Sequence, residues 1–135
     1  MLAVYPWSRL LGAGPEPLRV LESCRIGWGV VEEVGADELV VRGPRLEYAA
    51  ATPTAGARLE LGADQTRTVG YRVEGSPFVD GVAAGDHVAV HWDFACDRLT
   101  PTEVDALVAQ TEHQLTAMAP RIAARSAPRR PPRRR

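Results

Sequence analysis

The sequence predicts a mainly β fold: a small OB-like or SH3-like β-barrel followed by one C-terminal α-helix. Three observations carry this expectation. Short apolar runs with two-residue alternation recur over residues 18–95 and are separated by glycine-rich turns. Gly27 and Gly29 interrupt the first run, as a bulge or a barrel corner does. Thr100-Pro101-Thr102-Glu103 then opens an amphipathic helix with a capping residue, a first-turn proline and a capping-box glutamate.

Residues 1–17 read as an irregular apolar arm, in which Tyr5, Trp7, Leu10 and Leu11 are able to dock on a surface. Residues 19–28 and 29–34 read as one long or bent strand. Gly35-Ala36-Asp37 is a turn, residues 38–42 form a strand, and residues 45–48 extend it past Gly43-Pro44. Residues 49–56 are a loop by composition. Residues 58–61 and 66–73 alternate and read as two strands, and residues 75–85 as a loop. Residues 86–95 form the strongest strand. Its parity puts Val88, Val90, Trp92, Phe94 and Cys96 on one face, expected to be core. In the helix, Val104, Leu107, Val108, Thr111, Leu115 and Met118 form one stripe, and Pro120 is expected to end or kink it. The organisation expected is therefore an arm (1–17), a barrel with its helix (18–120) and a basic tail (121–135).

A chain of 135 residues that is 45% hydrophobic is long enough for one domain with a modest core. No apolar run approaches the roughly 20 residues of a membrane span. The N-terminal stretch lacks a charged region ahead of its apolar residues and is broken by Pro6, Arg9 and Pro15. A cytoplasmic protein is expected. The net charge of −1 hides an asymmetry. All 17 acidic residues precede position 120, whereas seven of the 16 arginines fall at or after Arg121. The tail carries no large apolar side chain beyond Ile122 and reads either as a solvated, disordered end or as a tether for nucleic acid or an acidic partner. The acidic body argues against nucleic acid as the main ligand.

The two cysteines, Cys24 and Cys96, form no CxxC pair, so a closed zinc site from this chain alone is not expected. Cys24 is either a soft metal ligand or a small buried hydrophobe. His91 lies in its strand with Asp93 two residues on and His87 four before. It is either a metal ligand whose tautomer a carboxylate fixes, or a histidine hydrogen-bonded at a barrel rim. Cys96 reads mainly as core. Trp7, Trp28 and Trp92 are core or stacking residues, the acidic body favouring core. Phosphate-loop, nucleophile-elbow, zinc-hydrolase and dinucleotide motifs are absent from the sequence, and an enzyme is not expected.

At these residues the chain resembles the HypC/HupF family of nickel-iron hydrogenase maturation chaperones. That family's late strand reads V-G-D-Y-V-L-V-H-x-G-F-A-I-x-x-L. Here Gly85, Asp86, His91, Phe94, Ala95 and Leu99 fall in register with it, and a helix follows in both. The family opens Met-Cys-x-x-x-Pro-Gly-x-Val, and here Cys24 is followed five residues later by Gly29 and a β pattern. Trp28 stands in the proline position, and 23 residues precede Cys24. The likeness covers about 18–120, with a longer and dissimilar middle at 49–78. The string His91-Trp92-Asp93-Phe94-Ala95-Cys96-Asp97-Arg98-Leu99 also resembles one that recurs in a domain family of hydrogenase gene neighbourhoods.

The resemblance implies a non-enzymatic accessory protein. Cys24 and His91 would hold an iron unit carrying cyanide and carbon monoxide. Trp7, Trp28, Asp93 and Cys96 would face the partners, namely the hydrogenase large-subunit precursor and a HypD-like protein. Two rivals stand beside this expectation. One is an OB-like module without metal whose basic tail contacts nucleic acid or an acidic protein. The other is a redox or single-metal enzyme built on Cys24, Cys96 and His91.

Overall fold

The computed structural model describes residues 7–125. Five strands close a barrel: β1 (Gly27–Val34), β2 (Glu38–Ala49), β3 (Arg58–Gly70), β6 (His87–His91) and β7 (Phe94–Leu99). The order around it is β1-β2-β3-β7-β6, and β6 returns to β1. All pairings are antiparallel except β3 with β7, which meet in parallel at Gly70 and Phe94. A short hairpin, β4 (Arg72–Val73) and β5 (Ser76–Pro77), lies between β3 and β6. A 3₁₀ turn at Trp7–Arg9 and a helix α1 (Glu16–Cys24) precede the barrel, and α2 (Pro101–Arg125) follows it. The small barrel with its C-terminal helix is the fold class the sequence predicts.

Inward positions of the strands supply the barrel core: Val31, Leu39, Val41, Val69, Val88, Val90 and Ala95. Each large member buried this fully contributes about 2 kcal/mol. Tyr71 and Val79 extend this core. The Tyr71 hydroxyl, just after β3, donates to the Gly35 carbonyl at 2.9 Å and so fastens the end of that strand to the β1–β2 turn. A second core lies outside the barrel. The β2–β3 hairpin runs on past the barrel, pairing Leu46 with Leu61 and Tyr48 with Leu59. On this sheet extension α1 places Leu21 and α2 places Met118 and Ile122, with Trp7, Leu11, Leu18 and Leu115 at the edges.

Three expectations are corrected. Residues 19–28 are not one strand, because Glu16–Cys24 is a helix. Its proline near the first turn is tolerated there, and the helix turns Pro17 and Leu21, four apart, to the protein. Residues 58–61 and 66–73 are not separate strands, since β3 runs through Gly62–Gln65 as the far arm of a long hairpin. Residues 86–95 are not one strand either. Trp92 and Asp93 form a two-residue turn between β6 and β7, and the expected core face fails beyond Val90. Trp92 is 55% exposed, Phe94 and Cys96 are half-buried, and Ala95 takes the core position. Of the two outcomes expected at Pro120, an end or a kink, the end does not occur, and α2 continues to Arg125. Its start is as predicted: Thr100 N–H and Oγ meet Glu103 Oε2 at 2.7 and 2.9 Å, and Glu103 N–H reaches Thr100 Oγ at 3.3 Å. No helix among the described residues is long and apolar enough to cross a membrane.

Candidate functional site

A β-bulge organises one side of the molecule. The β2–β3 register shifts between Pro44 and Leu46, where Arg45 of β2 stands against two residues of β3, Gly62 and Ala63. A bulge interrupts the ladder, and here helix α1 and the residue after it satisfy the backbone beside it. Arg25 Nη2 donates to the Pro44 carbonyl at 2.9 Å, and Leu46 N–H donates to Glu22 Oε2 at 2.8 Å. Glu22 and Arg25 also form a bidentate pair at 2.8 and 3.1 Å, with 4% and 3% of their side chains exposed. Arg67 from β3 approaches the same carboxylate at 3.5 Å and Arg45 at 3.8 Å.

Arg67 stands opposite Val41 and so points to the barrel interior. A Cβ on Gly27 would lie 3.0 Å from Arg67 Nη2 and 3.6 Å from Arg25 Nη2, so the glycine makes room for both guanidinium groups. Burial pushes Arg67 below its ordinary value. Glu22 pulls it back up, while Arg45 and Arg25 push it down. It remains charged, because an arginine titrates far above neutral pH. The Arg25 guanidinium lies 5.3 Å from the centroid of the Trp28 ring, and its Nη1 is buried with no hydrogen-bond partner.

Next to this ionic cluster the chain brings two sequence-predicted residues to one end of the fold. Cys24 is the last residue of α1, half-buried and free. His91 is the last residue of β6, also half-buried. The backbone N–H of Trp92 donates to the carbonyl of Ser23 at 3.0 Å, so the residues next to His91 and Cys24 are joined directly. Trp92 and Asp93 have φ of 51° and 57°. Positive φ at both central residues marks a type I′ hairpin turn, which usually holds asparagine and glycine. A tryptophan there is strained, and strain of this sort concentrates at functional sites. The Trp92 ring stands edge-to-face with His91 at 6.5 Å. Across the turn, Gly70 N–H donates to the Asp93 carbonyl at 3.0 Å.

The four candidate partner-facing residues do not lie together on the surface. Trp28 is buried at 6% exposure beneath Arg25, and Trp7 is half-buried against the second core. Asp93 is exposed in the turn. Cys96 Sγ donates to the Phe94 carbonyl at 3.3 Å. Burial pushes its thiol up, against a hydrogen bond from the His91 backbone that pulls it down, and Asp97 adds to the rise. The thiol is therefore kept protonated and is a poor nucleophile. Tyr5 and the tail at 126–135 lie outside the described residues. Sequence reasoning missed Glu22, Arg25, Arg45 and Arg67. The one local signal was the i, i+3 spacing of Glu22 and Arg25, which becomes visible once residues 16–24 are read as a helix.

Among the described residues, no group of three or more His, Cys, Asp and Glu side chains is placed to hold a metal ion. Fold and site define a small closed-barrel protein whose N-terminal helix packs beside a buried ion cluster. Residues 1–125 match a family of unknown function, DUF6390, and the chain belongs to that family. No curated protein and no solved structure matches it.

Proposed function

We propose that this protein is a cytoplasmic, non-enzymatic accessory factor of nickel-iron hydrogenase maturation, similar in role to the HypC/HupF chaperones. The observation that carries the reading is the Trp92–Ser23 hydrogen bond, which holds the His91 hairpin against the Cys24 end of α1. Cys24 and His91 are the residues that match the family's cysteine and histidine. Thiolate and imidazole together suit low-spin iron, and an iron unit that brings its own cyanide and carbonyl ligands needs few from the protein. The cargo is a substrate in transit, and two protein ligands favour its release over its retention. Exposed Trp92 beside the pair supplies an aromatic contact for the large-subunit precursor or an iron-delivery partner.

The test is oxygen-free purification from cells making a hydrogenase, with iron content and infrared spectrum recorded. Cyanide and carbonyl bands that vanish in Cys24→Ala support the reading. Full hydrogenase activity in cells whose only copy is Cys24→Ala, with the variant folded, overturns it.

A further inference from the structure

The ion cluster on α1 has more positive charge than its own carboxylate can balance. Glu22 faces three guanidinium groups, those of Arg25, Arg45 and Arg67. Arg25 satisfies Glu22 in a bidentate pair and Arg67 approaches it from the barrel side. Asp93 acts on Arg67 only as the weakest of its influences, from an exposed turn. Arg45 is left with the long 3.8 Å contact as its ion pair among the described residues. It stands opposite the β3 bulge at Gly62 and Ala63, and bulges are common next to sites.

Arg45 borders an open cavity of about 220 Å³ between α1 and the β2–β3 hairpin. Arg19, Gln65 and Glu22 share its lining, with Leu18 and Leu46 as apolar walls. That volume is below the several hundred Å³ of a typical cofactor site, so it suits a small headgroup on a short stem. A planar guanidinium with free donors matches an oxyanion, and a formal excess of two positive charges favours a dianion over a monoanion.

We infer that this cavity binds a phosphate group, held by Arg45 with Gln65 and Arg19 at its rim. Arg25 and Arg67 neutralise Glu22 from behind, so that the carboxylate in the wall does not repel the ligand. The group is free phosphate or the phosphate of a small monoester whose stem lies on Leu18 and Leu46. This inference does not depend on the maturation role.

The test titrates the full chain with inorganic phosphate, a short-chain phosphomonoester, acetate and chloride at matched ionic strength. Amide NMR shifts and the thermal midpoint are recorded. Saturable shifts at Arg45, Leu46 and Gln65 with either phosphate, a raised midpoint, and binding at least about tenfold weaker for acetate support the site. A tighter fit for the ester identifies the stem's source; equal affinity identifies free phosphate. Arg45 is partly exposed, so Arg45→Gln should keep its unliganded midpoint while phosphate binding weakens about tenfold or more. Shifts that do not saturate, that chloride reproduces, or that persist unchanged in Arg45→Gln overturn the inference.

Discussion

The backbone N–H of Trp92 donates to the carbonyl of Ser23 at 3.0 Å, tying the β6–β7 turn to the last turn of α1. The carbonyls of a helix's last turn have no partner within the helix, and the turn residue supplies one. A tight hairpin of positive φ is what brings that N–H within reach. The strained residue and the contact it makes are therefore one device.

This device separates stability from function. Trp92→Asn places a residue suited to positive φ in the turn, keeps the backbone N–H, and removes an exposed ring. Stability in urea should stay level or rise by about 1 kcal/mol. Hydrogenase maturation by the variant should fall if the ring is a contact. A clear loss of stability would show that the indole holds the fold together rather than serving a partner.

The buried carboxylate should be far less tolerant. Glu22→Gln keeps the shape but leaves Arg25, Arg45 and Arg67 around a neutral amide. Removing one member of a buried pair costs about 3–5 kcal/mol, because the other charge stays desolvated. Urea unfolding measures this directly. A cost below about 1 kcal/mol would place the cluster in the class of solvated surface pairs.

These residues also mark where sequence reading stops. The α2 start was legible because Thr100 and Glu103 are local partners, three residues apart. The valine-rich barrel strands were legible through their alternation. Helix α1 was not, since Arg19, Val20 and Ile26 mimic a strand while the reason for helix is tertiary: Leu21 and Glu22 meet Leu46 across 24 residues or more. The turn at Trp92 carried no glycine or asparagine to announce it. Cys24 and His91 were named from the chain, but Arg45 and Arg67 meet Glu22 only through the β2–β3 fold. Pairings of that sequence separation leave no periodic trace.

The Cys96 thiol should resist an alkylating probe in the folded protein. The raised Cys96 thiol should react more slowly than a free thiol, whose ordinary pKa is about 8.5, and should need more alkaline solution to speed up. In urea the burial is lost and the rate should reach that of a free cysteine. Mass spectrometry of peptides containing Cys96, with and without urea, reads the difference. Equal rates in both conditions would show that the site opens freely in the folded protein.

The capping box of α2 gives a pH dependence with a definite sign. Hydrogen bonds from Thr100 hold the Glu103 carboxyl below its ordinary value, the backbone N–H contributing most. Its charge also lies at the positive end of the helix dipole. A carboxyl depressed in the folded state adds stability that is fully present above its unfolded value of about 4.3. That contribution is lost as pH falls through the lower folded value. Unfolding in urea should therefore show wild type more stable than Glu103→Gln by a constant margin above about pH 5, shrinking steadily in stronger acid. Other carboxyls titrate in both proteins and cancel in the difference. A margin that stays constant through the acid range would mean that the carboxyl caps as well protonated as ionised, so that its charge contributes nothing.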